Sequence, residues 1–200
     1  KALFFGLREL IGQQILKEEC LAIQQIACTE LNLAIKEDFW PEIINSQLSL
    51  KQPFLDVMAL ENANKICEHI SQIPFDWISP KTSSDPNYIA LSDKKALVEL
   101  LGPEGIIKSE KIRLGLYGIL PNTEYGIRTH PAEEIFIMLA GQAEWLCGNN
   151  FYKMKNSGEY SYHPSSMPHA TRTRHLAFMS VYIWFGEISI EGYRYLGAKD

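Results

Sequence analysis

The sequence predicts a mainly β protein, in which the strands form an antiparallel sandwich or barrel behind a helical N-terminal region. Before residue 103, apolar residues recur at intervals of three and four, the spacing of one helix face. After Gly105 the period changes to two, as in Ile112, Leu114 and Leu116, and turn residues separate short segments. We therefore expect residues 1–102 to pack on the outside of the barrel and cover an edge strand, and residues 103–200 to form the barrel.

The helical half divides into amphipathic segments. Apolar stripes run over residues 3–15 and 23–31, and a further helix is expected from near Asp56 to residue 70. Residues 74–87 are rich in Pro, Ser and Asp, which predicts a loop. A short helix should follow, with Ser92 as its N-cap and an apolar face over residues 96–101 that Gly102-Pro103 ends.

The C-terminal half contains seven segments with strand character. Gly- and Asn-containing turns lie between them, including one predicted at Ala140-Gly141 that separates two strands. The predicted strands cover residues 112–117, 134–139, 142–147, 151–155, 160–162, 177–185 and 192–196.

Charge and composition exclude several classes of function. The net charge of -5 argues against nucleic-acid and anionic-membrane partners, because both require a basic surface. No apolar run approaches the roughly 18 residues that span a membrane. The four cysteines lie far apart and form no CxxC pair, which indicates reduced thiols rather than a zinc knuckle or a disulfide framework. We expect a cytoplasmic protein with a small-molecule substrate, as a monomer or homodimer.

His130, Glu134 and His169 form the constellation most informative about chemistry. Residues an even number apart on a strand share a face, so His130 and Glu134 could both point into a barrel, where a later strand brings His169. Two imidazoles and a carboxylate leave coordination positions open, as a catalytic metal requires. Taken singly, a histidine is more often structural and Glu134 could belong to a charged strand end; the two segments together favour one divalent metal ion.

His163 is a second candidate in the same stretch. It lies six residues before His169, so parity alone leaves it possible as a ligand. Pro164 should begin a turn between the two histidines, which favours a role for His163 beside the metal ligands or in the fold itself.

The motifs that carry these residues resemble the cupin superfamily, and more closely its short dimethylsulfoniopropionate (DMSP) lyases. His130, Glu134 and Gly141 match the later part of the first cupin motif; Gly158, Pro164 and His169 match the second, with Ser166 and Thr173 in place of its Gly and Asn. The lyase resemblance covers about residues 91–195. It rests on GPEG at 102–105, RLGLY at 113–117, HPAEEIF at 130–136, LAGQAEW at 139–145 and YHPSSMPHATRT at 162–173.

The resemblance implies a double-stranded β-helix, or jelly-roll, barrel with an N-terminal helical extension. It also implies a metal-assisted β-elimination that cleaves DMSP to dimethyl sulfide and acrylate, with a tyrosinate as the usual general base. The ligand set suits Zn, Fe, Mn, Ni or Co.

Two residues depart from the lyase pattern. Arg128 replaces the first histidine of the family's HxH, and Phe136 replaces the tyrosine two residues after the glutamate. Arginine stays protonated and cannot ligate a metal, so we interpret Arg128 as a clamp for a substrate carboxylate rather than a solvent-facing strand residue. Tyr125 matches a family tyrosine upstream and is our candidate catalytic residue, although a half-buried barrel aromatic is an equal interpretation.

Four further side chains are predicted to surround the substrate. Tyr160 and Tyr162 flank the second metal motif, while Phe136 and Trp145 alternate on predicted strands and would form pocket wall. Two other functions stay open: another cupin enzyme of a small carboxylate, such as an oxygenase or isomerase, and a sensor that binds a small acid without turnover.

Overall fold

The computed structural model describes residues 1–37 and 50–197. Predicted features at residues 198–200 lie outside these ranges. In the described residues, no helix has both the length and the apolar content to cross a membrane. The α-helices there are α1 (Ala2–Gln13), α2 (Leu21–Lys36), α3 (Gln52–Met58), α4 (Ile66–Gln72) and α5 (Pro86–Ala90). Short 3-10 helices cover Glu18–Cys20, Ser92–Lys94 and Ile190–Gly192.

The strands form two sheets that share one long strand. They are β1 (Lys95–Gly102), β2 (Ile107–Lys108), β3 (Ile112–Ile119), β4 (Glu124–Thr129), β5 (Glu133–Cys147), β6 (Lys153–Asn156), β7 (Tyr160–His163), β8 (His169–Arg172), β9 (Phe178–Phe185) and β10 (Arg194–Gly197). The outer sheet contains β2, β1, β3, β9, β7 and the first part of β5. The inner sheet contains β10, β4, β8, β6 and the second part of β5.

Strand β5 is continuous where the sequence predicts two strands and a turn at Ala140-Gly141. Its register shifts between Met138 and Ala140, and Gly141 has φ +71°. A bulge with a left-handed glycine bends a strand without ending it. The prediction of a turn is therefore wrong, and β5 passes from the outer sheet to the inner one at this bend.

Residues 96–101 form strand β1, so the predicted short helix is wrong. Ala96, Val98 and Leu100 face the helices, and the alternate residues face the other way. An apolar run this short is compatible with the period of a helix or of a strand, and antiparallel pairing with β3 stabilises the strand. The barrel therefore begins at Lys95, before the predicted boundary at residue 103.

Two other helical segments have bounds that differ from the predicted ones. The helix expected from Asp56 to residue 70 is two helices, α3 and α4. Helix α5 lies partly inside the predicted loop and begins where the carboxylate of Asp85 accepts hydrogen bonds from the backbone N–H groups of Asn87 and Tyr88.

Helices α2, α3 and α4 pack on the face of the outer sheet, against β3, β5 and β9, rather than covering an edge strand. One hydrophobic cluster joins the two layers, with Ile23 and Leu31 of α2 packed in the same core as Leu114 and Val181 of the sheet. Alternation explains this arrangement, because the strands present aliphatic residues to the helices and aromatic residues to the space between the sheets. All four cysteines are free thiols, as the sequence predicts.

Candidate metal centre

The three candidate ligands come from both sheets. His130 follows the last residue of β4, Glu134 is the second residue of β5, and His169 begins β8. His130 and Glu134 do not share a strand, because a bend at Pro131-Ala132 separates β4 from β5. The parity argument is therefore wrong, although the residues still meet: the carboxylate lies on the outer sheet and faces imidazoles that the inner sheet positions.

The donor atoms converge at one point. Glu134 Oε2 lies 3.1 Å from His169 Nε2 and 3.5 Å from His130 Nε2. One ligand atom from each of the three residues lies within 4.8 Å of the others, and all three side chains are buried. The three groups are thus close enough to bind a single ion.

Backbone carbonyls fix the tautomers of both histidines. His130 Nδ1 lies 3.1 Å from the carbonyl oxygen of Ala132, and His169 Nδ1 lies 2.8 Å from that of Met167. A carbonyl only accepts, so each Nδ1 donates its proton and each Nε2 presents a lone pair. Both Nε2 atoms are buried without a hydrogen-bond partner in the described part of the chain. Lone pairs directed at a carboxylate oxygen are unfavourable unless a cation lies between them, so these residues fit a metal ion.

The protonation states agree with that arrangement. Burial, together with the charges of His163 and Arg128, holds the pKa of His169 well below its ordinary value, so its imidazole is neutral. Burial opposes ionisation of Glu134, but contacts with His130, His163 and His169 hold the pKa of its carboxyl well below the usual range. Neutral imidazoles and an ionised carboxylate are the forms that ligate metals.

Two further side chains orient the carboxylate. Trp184 Nε1 donates to Glu134 Oε1 over 2.6 Å, and His163 Nδ1 lies 3.1 Å from Oε2. The ring of His163 stacks on that of His169 at 4.2 Å, and its Nε2 contacts the hydroxyl of Ser161 at 3.0 Å. His163 therefore contacts a candidate ligand, and its predicted place beside the metal ligands stays a prediction.

A cavity of about 1180 Å³ opens onto this centre. Its lining includes His130, Glu134 and Arg128 together with aromatic side chains, and residues of the loop after α4 and of strand β1. Such a space accommodates a small molecule beside the candidate ligands.

Comparison with known proteins assigns the family. The sequence profile of the dimethylsulfoniopropionate lyases matches residues 49–179, about two thirds of the chain. The chain belongs to the DMSP lyase family. DMSP lyase DddQ of Ruegeria pomeroyi is 34% identical over 96 residues, which are 48% of this chain and 48% of DddQ. The aligned stretch thus spans about half the length of that curated relative.

Solved structures of DMSP lyases share the fold. A crystal structure reported for the DMSP lyases RdDddP and RnDddQII superposes with a TM-score of 0.65 at 18% identity, covering 98% of this chain and 96% of that one. DddQ from Ruegeria pomeroyi superposes with a TM-score of 0.58 at 24% identity, covering 84% and 93%. The predicted cupin barrel with helices at its N-terminus is confirmed.

Arg128, which replaces a histidine of the DMSP lyase motif, is buried inside the barrel. It is 2% exposed and lines the cavity. Its guanidinium donates long hydrogen bonds to the carbonyl oxygen of Tyr125 at 3.4 Å and to Thr171 Oγ1 at 3.3 Å, and lies 3.9 Å from the centroid of the Tyr125 ring. The solvent-facing interpretation of Arg128 is therefore wrong.

The tyrosines near Arg128 form a connected group on the cavity wall. The hydroxyls of Tyr125 and Tyr193 are 2.5 Å apart, and the Tyr193 ring stacks over His130 with centroids 6.2 Å apart. Tyr117 packs against Phe136 at 5.7 Å, and its hydroxyl is buried with no hydrogen-bond partner among the described residues. Phe136 also lines the cavity, where DMSP lyases usually have a tyrosine.

Three predicted substrate contacts lie away from the cavity. On β7, Ser161 and His163 point inward, so Tyr160 and Tyr162 point outward by alternation, contrary to the prediction. The hydroxyl of Tyr160 accepts a hydrogen bond from the backbone N–H of Lys17, and that of Tyr162 donates to Glu133. Trp145 lies behind Phe136, with ring centroids 4.5 Å apart, and does not line the cavity.

Sequence reasoning missed Lys95. It is 4% exposed, and its Nζ lies 3.9 Å from the Tyr125 ring centroid and 4.1 Å from that of Tyr88. Burial and the charge of Arg128 lower the pKa of this lysine to about 7. The assignment of residues 96–101 to a helix hid it, since alternation on a strand would have placed Lys95 on the interior face.

Proposed function

We propose that this chain is a metal-dependent carbon–sulfur lyase that cleaves DMSP, or a similar small zwitterionic carboxylate, by β-elimination. The carrying observation is the pair of buried Nε2 atoms, on His130 and His169, that face the carboxylate of Glu134 without partners. Membership of the DMSP lyase family supports the reaction type.

His130, Glu134 and His169 would hold one divalent transition metal. When bound, the ion supplies Lewis-acid chemistry that makes the C–H bond beside a substrate carboxylate more acidic. Zn, Fe, Mn, Ni and Co all suit this ligand set. Trp184 and His163 keep the carboxylate of Glu134 in place by occupying both of its oxygens.

Tyr125 is the proposed general base. Its hydroxyl contacts that of Tyr193, which can relay a proton. To act as a base Tyr125 must first lose its own proton; burial and the neighbouring tyrosines oppose this by raising its pKa well above 10, whereas the charges of Arg128 and of a bound cation would favour it. In the elimination, the base takes the proton from the carbon beside the carboxylate, and that electron pair forms the double bond. The C–S bond breaks with its electrons on sulfur, giving acrylate and neutral dimethyl sulfide.

The other cavity residues would bind the substrate. Arg128 can donate two parallel N–H groups to a substrate carboxylate that does not lie at the metal. Phe136, Tyr182 and Trp184 offer aromatic faces to a sulfonium group.

Purified protein of measured metal content, given DMSP, tests this function. We expect dimethyl sulfide in the headspace and an equal amount of acrylate in solution, and Glu134→Gln should abolish both. The lyase proposal is withdrawn if neither product forms at full metal occupancy.

One observation favours a second candidate, a binding module or sensor without turnover. Phe136 has no proton to exchange where the family usually has a tyrosine. A rise in melting temperature with small carboxylic acids, without any product, would support this function.

The free thiols also lead us to propose a cytoplasmic location.

A further inference from the structure

Two basic side chains of the barrel interior are buried without an ion-pair partner among the described residues. Arg128 and Lys95 are 2% and 4% exposed, and neither forms an ion pair in the part of the chain that the structure describes. Glu134 is the one buried carboxylate among the described residues between the sheets, and its oxygens contact Trp184 and the histidines rather than the guanidinium of Arg128. Buried charges without counter-ions are costly, so the interior favours an added anion.

Both basic groups pack against one ring, and Arg128 is the permanent cation of the two, because burial and the charge of Arg128 lower the pKa of Lys95 to about 7. The guanidinium of Arg128 and the ammonium of Lys95 are each 3.9 Å from the centroid of Tyr125. Arg128 makes only two hydrogen bonds, both longer than 3.2 Å, which leaves most of its N–H groups for a ligand. Arg128 also lines the cavity, so a ligand can reach it.

We propose that Arg128, which shares the Tyr125 ring with Lys95, forms a second anion-binding point in the cavity, and that the preferred substrate carries two acidic groups. This inference rests on the proposed function, because the metal centre is the first point that binds a carboxylate. One acidic group would lie at the metal and the other at Arg128. The substrate class is then a small dicarboxylate with a sulfur leaving group, and DMSP, with its single carboxylate, would fill one point only.

Charge also argues against a cation at this position. A sulfonium beside Arg128 would meet a like charge that is 2% exposed, and repulsion between charges is screened less at a buried group than in solution. A neutral or anionic sulfur substituent avoids that repulsion. The substitution of Arg128 for the histidine of the DMSP lyase motif therefore affects which substrates the barrel accepts.

Calorimetric titration of the zinc-loaded protein with propionate and with succinate tests the inference. We expect succinate to bind at least tenfold more tightly than propionate. Arg128→Gln should remove that advantage and change propionate binding less than threefold, whereas Arg128→Lys should keep part of it. Arg174→Gln is the matched control, since Arg174 is an exposed arginine outside the cavity that pairs with Glu144, and it should behave as wild type.

The outcomes separate the inference from the function on which it rests. If Arg128→Gln does not fold, Lys95→Met should still reduce the succinate advantage at least threefold. Equal affinities for the two acids, or an advantage that survives in Arg128→Gln, overturn the inference while leaving a zinc-loaded lyase possible. Failure to bind zinc refutes the proposed function instead. In that case, the anion-binding point at Arg128 is tested by propionate binding to the metal-free protein: a loss of binding in Arg128→Gln supports it, and unchanged binding refutes it.

Discussion

The two histidines of the second motif differ in what their nitrogens contact, although only six residues separate them. His169 directs an unpartnered Nε2 at the candidate metal position. Both ring nitrogens of His163 are engaged, by Glu134 and by Ser161. A contact with a ligand is worth less to a metal site than a ligand itself.

We therefore predict that His169→Ala abolishes metal binding, whereas His163→Ala leaves it mostly intact. Elemental analysis after dialysis against zinc measures both. Equal loss in the two variants would show that the ligand set is wrong.

Phe136→Tyr should raise lyase activity at least threefold. Phe136 lies two residues from Glu134 on the same face of β5 and lines the cavity, so an added hydroxyl would enter the reaction space. Initial rates of dimethyl sulfide release measure the effect. Phe185→Tyr, which adds the same hydroxyl outside the cavity, should not change the rate, and an unchanged rate in Phe136→Tyr would mean that another residue is the base.

Residue types and spacing were sufficient to predict that His130, Glu134 and His169 lie together, because a metal site needs particular side chains; that they bind a metal stays a prediction. They were not sufficient to place Tyr160 and Tyr162, since an error of one position in strand phase reverses the face of every side chain. Lys95 was missed because residues 96–101 were assigned to a helix, whereas on strand β1 its amino group lies over the rings of Tyr88 and Tyr125.

Among the elements, β5 contains the glycine conformation that predicts a turn, yet it continues as a strand. Gly141 does adopt the left-handed conformation that a turn signal suggests. Pairing on both sides of the glycine nevertheless keeps the chain extended, with β9 on one side of the bend and β8 and β6 beyond it. Hydrogen bonding to neighbouring strands, which is not local, decided the outcome.

Gly141→Ala should lower the free energy of unfolding by roughly 2–4 kcal/mol. A Cβ there would overlap the carbonyl oxygen of Ala177 and be held at a positive φ. Gly158→Ala is the matched control: its φ is +87° but no atom lies within 4 Å, so only backbone strain of about 1 kcal/mol remains. Urea denaturation compares the two, and equal losses would contradict the role of the close contact.

In the molecule as a whole, the helices and the outer sheet bury their apolar residues in one cluster. The change in period near residue 103 separated the helical region from most of the strands. Sequence periodicity does not, however, show that the helices and the outer sheet share one core. Burial on both sides of the boundary argues for one cooperative unit.

Leu7→Ala should therefore destabilise the barrel as well as the helices, by about 2–5 kcal/mol, in a single transition. Leu7 is fully buried on α1, while Leu33 on α2 is half exposed and serves as the control, with a much smaller expected loss. Far-ultraviolet circular dichroism reports the helices, and in a background in which Trp40 and Trp77 are replaced by Phe, the fluorescence of Trp145 and Trp184 reports the barrel. Separate midpoints for the two signals would show that the regions unfold independently.

The state of the thiols bears on how the protein can be handled. Burial raises the pKa of Cys67 to about 12, and burial together with Glu19 raises that of Cys20 to about 11. Thiolate, not thiol, reacts with alkylating probes, so both residues should label slowly at neutral pH. A cysteine engineered onto an exposed loop would then take up a maleimide fluorophore well ahead of these two, so site-directed labelling requires the replacement of the partly exposed Cys28 and Cys147 but not of Cys20 and Cys67.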